Sequence, residues 1–295
     1  MKGYIKPILI AAGLGLTLVG CKSTPKPVEP MPFSNEHSYA YNVANQTILM
    51  RNDSPLRDFT REEEAEITQA VGRSRSGGNP SLLIGGLKIL TLDLTGAIDI
   101  AGGAVANIAS RDHAAGATEW IIEVDATPFS SELDAQQYII DTINAATLEA
   151  LSKYGEVKLQ PVGERGKLFY LNHGGVDYLM GGFQINTPKE GVLTKTDQSL
   201  EGNAGSYYTY GVKKSTIKDR LIMIPTHLIF TVESGKNIDT TEFYTGITQH
   251  LPKGFYVYTS SMPQTEYDNK IYTDYAEVLP AIYTQGKKYE FIKPE

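Results

Sequence analysis

Histidine is the side chain most often used as a catalytic base or a metal ligand, and the chain has five of them. They are His37, His113, His173, His227 and His250. No two are three or four residues apart, the spacing that places two ligands on one helix face, and the His-Glu-x-x-His zinc motif does not occur. The sequence therefore predicts no metal site and no cofactor. His227, which precedes the apolar residues Leu228 to Phe230, is predicted to be a buried core residue.

A serine nucleophile needs a base nearby, and one segment offers such a pair at a fixed spacing. Ser215 and Lys218 form a Ser-x-x-Lys pattern, which is similar to the nucleophile motif of penicillin-recognising enzymes. The same pattern occurs at Ser23 and Lys26 among prolines, and the companion Lys-Thr-Gly is missing. Gly-x-Ser-x-Gly does not occur either. The sequence favours a non-enzymatic protein, with a periplasmic cell-wall hydrolase as the alternative.

The single cysteine, Cys21, closes a segment with the properties of an export signal. A positive start at Lys2 and Lys6 is followed by an uncharged apolar run over 7–19, shorter than the roughly 20 residues of a bilayer-spanning helix. The run ends in Leu-Val-Gly-Cys at 18–21, which resembles the lipobox of bacterial lipoprotein signal peptides. The resemblance implies that 1–20 is a cleaved signal peptide. It also implies a diacylglyceryl thioether on the Cys21 sulfur and acylation of the freed amine.

The lipid would determine where the protein is held. Several acyl chains, each contributing about 0.8 kcal/mol per buried CH₂, give a stable membrane anchor. Lys22 stands where the resemblance would place an inner-membrane Asp, which indicates a periplasm-facing protein of the outer membrane. The net charge of −7 becomes −9 without Lys2 and Lys6, which argues against nucleic acid as a partner. Attachment to the membrane is expected to depend on Cys21 alone.

Tyrosine is the side chain that could form a contact surface, since the chain has 18 of them. Tyr207, Tyr208 and Tyr210 lie in a Gly-, Ser- and Thr-rich stretch over 187–212, which we expect to be a long mobile excursion. Amphipathic rings among small polar residues are typical of adaptable contact surfaces for protein or glycan. The alternative is that these rings occupy ordinary strand positions, which favour Tyr.

The elements that must position these groups begin after a proline-rich stretch. Residues 21–58 are predicted to be a lipid-anchored spacer, because dense prolines prevent regular hydrogen bonding. A helical region, 59–115, follows. Thr60 is a candidate helix cap with Glu63 at the capping-box position, and the helix is expected to stop at Gly72, before a loop over 73–80.

The segment 82–109 is rich in Leu, Ile, Ala and Gly. Its apolar residues fit a helical stripe, on which Gly85, Gly96 and Gly103 form a ridge that permits close backbone approach. The residues 90–100 also alternate with period two, as in a strand with one polar face. Helix is the prediction. Self-association or binding of an envelope protein through the ridge is one expectation, simple burial another and membrane entry the third.

The remainder, 116–295, is predicted to be an α+β domain with a mixed sheet built from two β-helix-β units. The first has strands over 118–126 and 157–162 around a long helix for which Ser130 and Ser131 are the candidate caps. The second has a strand over 228–234, a helix capped by Asp239 and a strand over 255–259. Further strands are expected over 167–171 and 176–187. The similarity of the two units suggests an internal duplication.

Taken together, the residues indicate an outer-membrane lipoprotein that acts as a non-enzymatic structural or accessory subunit of a cell-envelope complex. The complex would belong to secretion, assembly or wall-associated machinery. A glycan- or ligand-binding lipoprotein is a further alternative to the hydrolase, since the tyrosine-rich stretch could form its binding surface.

Overall fold

The computed structural model describes residues 32–45, 57–77, 118–162, 166–184, 188–210, 224–268 and 270–295. The described chain is an α+β protein, as predicted. Its helices are α1 (Tyr39–Asn45), α2 (Arg61–Gly77), α3 (Glu132–Ser152), α4 (Leu228–Ser234) and α5 (Thr240–Thr248). Its strands are β1 (Glu119–Asp125), β2 (Glu156–Val162), β3 (Gly166–His173), β4 (Val176–Gln184), β5 (Thr194–Gln198), β6 (Ala204–Tyr210), β7 (Phe255–Thr259), β8 (Gln264–Tyr267), β9 (Lys270–Thr273), β10 (Ala281–Thr284) and β11 (Lys287–Glu290). In these ranges no helix combines the length and hydropathy needed to cross a bilayer.

The strands form three sheets, and every pairing between the named strands is antiparallel. The largest sheet has the order β11-β10-β7-β1-β6-β5, the second has the order β2-β3-β4, and β8 pairs with β9. The predicted mixed sheet is therefore wrong for the described strands. An isolated parallel bridge joins Phe59 to Ile292 outside them.

The six-stranded sheet is covered on both faces, and alternate residues of its central strands supply two separate cores. Trp120, Ile122 and Val124 of β1 face the core that contains α3 and α5. Ile121, between them, faces the core that contains α1 and α2. β7 alternates in the same way, with Val257 on the α3 side and Tyr258 on the α1 side. This three-layer arrangement explains why the middle of β1 is a continuous apolar run.

The α1 layer begins inside the stretch predicted to be a spacer. Ala40, Val43 and Ala44 of α1 are fully buried, so the folded part of the chain includes residues well before 58. The Asp58 carboxylate holds the start of this helix: it accepts the Ser38 backbone N–H at 2.9 Å and the Ser38 hydroxyl at 2.5 Å. The proline-rich residues before 32 lie outside the described residues.

Helix α2 starts as predicted and ends later. The Glu63 backbone N–H donates to the Thr60 hydroxyl, and the Glu63 carboxylate accepts the Thr60 N–H at 2.8 Å, which confirms the capping box. The helix continues through Gly72 to Gly77, so the loop predicted from Arg73 onward is wrong over 73–77. An isolated glycine inside a helix costs only about 1 kcal/mol of helix stability relative to alanine. The Arg and Ser residues that follow it do not break a helix.

Helix α3 confirms the prediction of a long helix capped by Ser131, whose hydroxyl accepts the Asp134 N–H. Ile140, Ile143 and Leu151 are buried along it, as expected from their spacing. The strands on either side are where predicted, but they belong to different sheets: β1 is central in the large sheet and β2 pairs only with β3. β6 and β7 occupy both edges of β1, so the first unit does not make the predicted parallel crossover.

The second predicted unit is wrong in its first element. Leu228–Ser234 is helix α4 and not a strand, and it ends at Gly235 in the left-handed conformation, with φ of 72°. The helix capped by Asp239 and the strand over 255–259 are confirmed. Since the second unit begins with a helix and the first with a strand, the structure contradicts the hypothesis of internal duplication.

Within the predicted excursion over 187–212, the described residues 188–210 do not form one long loop. They contribute β5 and β6, and β6 pairs directly with β1, so that Ile122 lies opposite Tyr210 and Val124 opposite Tyr208. The helix α3 side chain Gln136, fully buried, fixes the start of this stretch by accepting the Lys189 N–H at 3.0 Å and donating to the Lys189 carbonyl at 2.7 Å. The segment is held in place because β5 pairs with β6, and β6 pairs with the distant strand β1.

Candidate functional site

A cleft of about 570 Å³ lies where β1 ends, among the loops that follow β1, β5 and α5. Its size falls in the range of pockets that hold small ligands, about 300–1,000 Å³. Its walls combine aromatic rings, prolines and charged groups. The lining residues are Glu123, Val124, Asp125, Pro128, Phe129, Tyr138, Ser199, Glu201, Asn203, Tyr207, Pro252, Lys253, Gly254 and Phe255. We call this feature the β1 cleft.

Four aromatic residues line the β1 cleft: Phe129, Tyr138, Tyr207 and the fully buried Phe255. Phe129 and Tyr138 form a tilted pair with ring centroids 5.3 Å apart, and Tyr138 is 41% exposed. The Tyr207 ring lies over Gly205, two residues earlier on the same strand face. A Cβ atom at Gly205 would stand only 2.7 Å from the Tyr207 ring and its hydroxyl. The absence of a side chain at Gly205 therefore permits the ring position that lines the cleft.

A charged cluster of Glu201 and Lys253 forms another part of the cleft wall. The Lys253 ammonium is 2.7 Å from a Glu201 carboxylate oxygen, and the other oxygen accepts the Tyr39 hydroxyl at 3.1 Å. This ion pair raises the pKa of Lys253 above its usual value. Burial raises the pKa of Tyr39 to about 12, so its hydroxyl stays protonated and donates. The contact joins α1 to the cleft wall.

Glu123 is a carboxylate of the β1 cleft wall. It is half-buried, and one oxygen accepts the Leu200 backbone N–H. Burial raises the pKa of its carboxyl; the Leu200 hydrogen bond opposes this rise and the charge of Glu201 adds to it. A desolvated carboxylate beside a second acid gains most from a positively charged or hydrogen-bond-donating ligand.

The structure places the three tyrosines of the predicted contact surface on two faces of β6. Tyr207 lines the β1 cleft, and Tyr208 and Tyr210 point to the opposite face of β6. Tyr210 is 7% exposed and belongs to the α3-side core, against which Tyr208 also packs. The period-two alternation of a strand separates the three rings, which is why they cannot form one contact surface.

His227 is buried, as predicted, and belongs to a polar network away from the cleft. Its Nε2 lies 3.0 Å from the Thr240 hydroxyl and its Nδ1 lies 3.3 Å from the Thr231 hydroxyl. Thr240 in turn donates to the Asp274 carboxylate, which also accepts the Ala276 N–H at 2.8 Å. Burial lowers the pKa of His227 to about 4, while Asp274 and Asp239 act in the opposite direction. The network holds α4, α5 and the segment after β9 together.

Other sequence-predicted residues have simpler places or lie outside the described residues. His173 ends β3, and the following Gly174 and Gly175, with φ of 62° and 82°, form the tight turn to β4. Cys21, His113 and Ser215 lie outside the described residues, as do Gly85, Gly96 and Gly103 of the proposed ridge. Within the described ranges, no three His, Cys, Asp or Glu side chains come together as a metal site.

Sequence reasoning missed the charged part of the site. Glu123, Glu201 and Lys253 come from three loops or strand ends that are distant in sequence, and no spacing rule relates them. Glu123 was the only one of the three with a signal, as a charged residue between apolar neighbours in a strand that the structure places in the centre of a sheet. A carboxylate in such a strand is costly to bury without function or partners.

No family model matches the chain, and no curated protein or solved structure matches it. The β1 cleft and its surroundings are therefore interpreted from their own geometry.

Proposed function

We propose that this protein is a lipoprotein of the bacterial outer membrane, anchored by lipid on Cys21, facing the periplasm, and acting as a non-enzymatic accessory subunit of a cell-envelope complex. The observation that carries the proposal is the lipobox-like Leu-Val-Gly-Cys sequence at 18–21, in which the cysteine is the only one of the chain. Lys22 after it supports the outer membrane.

The short distance in sequence between Cys21 and the first described residue supports an anchored role. Pro32, the first described residue, lies eleven positions after Cys21, so the connecting chain spans at most about 40 Å when fully extended. Soon afterwards α1 packs into the α1-side core through Ala40 and Val43. A proline-rich tether of this length would hold the domain close to the membrane surface, where it meets membrane-bound partners and cannot reach far into the periplasm.

The chemistry of the described residues supports binding over catalysis. The His227 network is buried: His227 is 3% exposed and Asp274 7%, so a substrate would have no direct access to it. The β1 cleft presents rings and carboxylates with a lysine already paired to Glu201. A ligand-binding lipoprotein is the second candidate, and the β1 cleft with Tyr207 in its wall is the observation that favours it.

The anchor is tested by Cys21→Ser. Serine keeps the size of the side chain and removes the sulfur that would carry the thioether. We expect the variant to lose metabolic labelling with palmitate completely and to leave the membrane fraction as a soluble or unprocessed protein. Ser23→Ala, two residues further along, is the matched control and should retain label and fractionation. Unchanged palmitate labelling of Cys21→Ser would overturn the proposed anchoring.

Self-association through Gly85, Gly96 and Gly103 is a further part of the proposal. At such a ridge the contacts depend on close backbone approach, so one large side chain separates the helices. We expect Gly96→Leu or Gly103→Leu to convert an oligomer into a folded monomer, measured by light scattering with circular dichroism as the check of folding. A wild-type protein that is monomeric at high concentration, with no protein co-purifying from membranes, would contradict this part.

A further inference from the structure

We infer that the β1 cleft is a binding site for a lysine- or arginine-bearing peptide segment of a partner protein. This inference rests on the proposed accessory function, for which it supplies the chemical class of the partner. It is carried by the composition of one cavity, whose lining combines aromatic rings with an excess of carboxylates.

Charge complementarity favours a cation. The lining residues contribute three carboxylates, Glu123, Asp125 and Glu201, against one ammonium, Lys253. Lys253 forms an ion pair with Glu201 at 2.7 Å and acts on Glu123 only at longer range, so that among the described residues no cation is in direct ion-pair contact with Glu123 or Asp125. A ligand that brings one positive charge would compensate the desolvated Glu123, whose Oε1 accepts no hydrogen bond from the described residues.

The rings explain why the cation would be on a long side chain and not a bare ion. Tyr138 is 41% exposed and stands beside Phe129, so part of its ring is available to a ligand. The aliphatic stem of lysine or arginine packs on such rings, and its charged end gains a cation–π contribution. Tyr207, kept over Gly205, closes the other wall. The cleft volume of about 570 Å³ suits a short peptide segment.

The peptide backbone would also find partners in this place. Ser199 and Asn203 line the cleft with polar side chains. Within their turn the Ser199 hydroxyl accepts the Asn203 backbone N–H at 2.9 Å, and the Ser199 N–H donates to the Asn203 carbonyl at 2.8 Å; the Asn203 side-chain amide takes part in neither bond. Hydroxyl and amide groups retain further donor and acceptor capacity after a single bond. They can therefore bind the carbonyl or N–H groups of an extended segment.

The test uses the full chain purified from membranes in detergent and labelled with ¹⁵N. N-acetyl-lysine methylamide is titrated as the probe, and amide shifts are followed by NMR. We expect saturable shifts confined to the cleft residues, with a Kd on the order of 1 mM, as is usual for a fragment of this size. N-acetyl-glutamate methylamide should give no localised shifts. An N-acetylglucosamine tetramer serves as the glycan probe.

Two variants and two matched controls complete the design. Glu123→Gln, which keeps the shape and the Leu200 acceptor, should weaken binding of the lysine probe about tenfold or more. Tyr138→Ala should weaken it by roughly two- to fivefold. Glu66→Gln and Tyr275→Ala change an exposed acid and an exposed ring outside the cleft, and should leave the affinity unchanged.

Three results would overturn the inference. The first is an absence of saturable shifts with the lysine probe, and the second is that the two control variants weaken binding of this probe as much as Glu123→Gln and Tyr138→Ala do. The third is preferential binding of the N-acetylglucosamine tetramer in the cleft. The last would assign the cleft to glycan instead of peptide. Palmitate labelling of the same protein reports separately on the anchor. Loss of probe binding with intact labelling would contradict only the cleft inference, and absence of labelling would contradict the lipoprotein proposal.

Discussion

Gly254→Ala is expected to destabilise the fold by at least about 3 kcal/mol, because an added Cβ would make a closer contact there than at any other glycine whose surroundings the structure describes. Gly254 has φ of 94°, and a Cβ there would stand 2.1 Å from the Glu123 carbonyl oxygen, a backbone atom that cannot move alone. The same segment is held in place by the Glu123 N–H, which donates to the Gly254 carbonyl at 2.7 Å. Alanine must therefore displace β1 from the start of β7. Urea unfolding followed by circular dichroism measures the loss.

Gly235→Ala is the control that separates the cost of the steric clash from the cost of the left-handed backbone conformation. Gly235 also has positive φ, 72°, but no atom lies within 4 Å of the position that a Cβ would take there. We expect this control to cost only about 1 kcal/mol, the left-handed penalty alone. Equal stability losses in the two variants would show that the close approach at Glu123 contributes nothing. Because Gly254 lines the β1 cleft, Gly254→Ala should also weaken binding of the lysine probe, whereas Gly235→Ala should leave that binding unchanged.

Acidification is expected to produce the second large effect, through His227. Its pKa is about 4 in the folded protein against about 6.5 in an unfolded chain, so between these values only the unfolded chain is protonated. Stability is therefore complete above about pH 6.5 and falls as the pH decreases towards about 4. The contribution of this group over that window is about 3 kcal/mol. Asp274 and Asp239 are the titratable groups whose charges act on it.

The acid effect is isolated by comparison with His227→Gln, which does not titrate but can still hydrogen-bond to Thr240. Burial raises the pKa of Glu123 and Glu277, so these carboxyls stabilise the folded state on acidification and partly mask His227 in the total profile. They are present in both proteins and cancel in the difference. The free energy of unfolding is measured by urea at several pH values from 7.5 to 4. A pH-independent difference between the two proteins would contradict the role of His227.

Local signals were sufficient where an element has a long periodic pattern and its own caps. Helix α3 has a stripe that repeats over several turns and Ser131 at its start, so both its existence and its first residue could be predicted. The capping box of α2, from Thr60 to Glu63, is equally local. Each of these features is encoded within a few neighbouring residues and does not depend on the rest of the fold.

Short and non-local elements could not be predicted in this way. Helix α4 has seven residues, Leu-Ile-Phe-Thr-Val-Glu-Ser, rich in β-branched types that favour strands, and its burial against the rest of the protein decides its conformation. The one helical signal was Gly235, which ends the helix in the left-handed conformation. β6 is a strand because β1 offers it a free edge, and that edge is invisible in the sequence around Tyr207. The β1 cleft depends on β6 and was therefore missed as well.

The attachment of α1 determines how the protein would respond to mechanical load. In the anchored state that we propose, a pull between membrane and partner enters the described part of the chain at Pro32 and reaches Ser38 within six residues. There the Asp58 carboxylate holds the helix start by two hydrogen bonds. Beyond it, the Tyr39 hydroxyl is bonded to Glu201 in the wall of the β1 cleft. Tension on the tether would thus strain the α1 contacts and the cleft wall before it reaches the central strands, so that force on the anchor and occupancy of the cleft would influence each other.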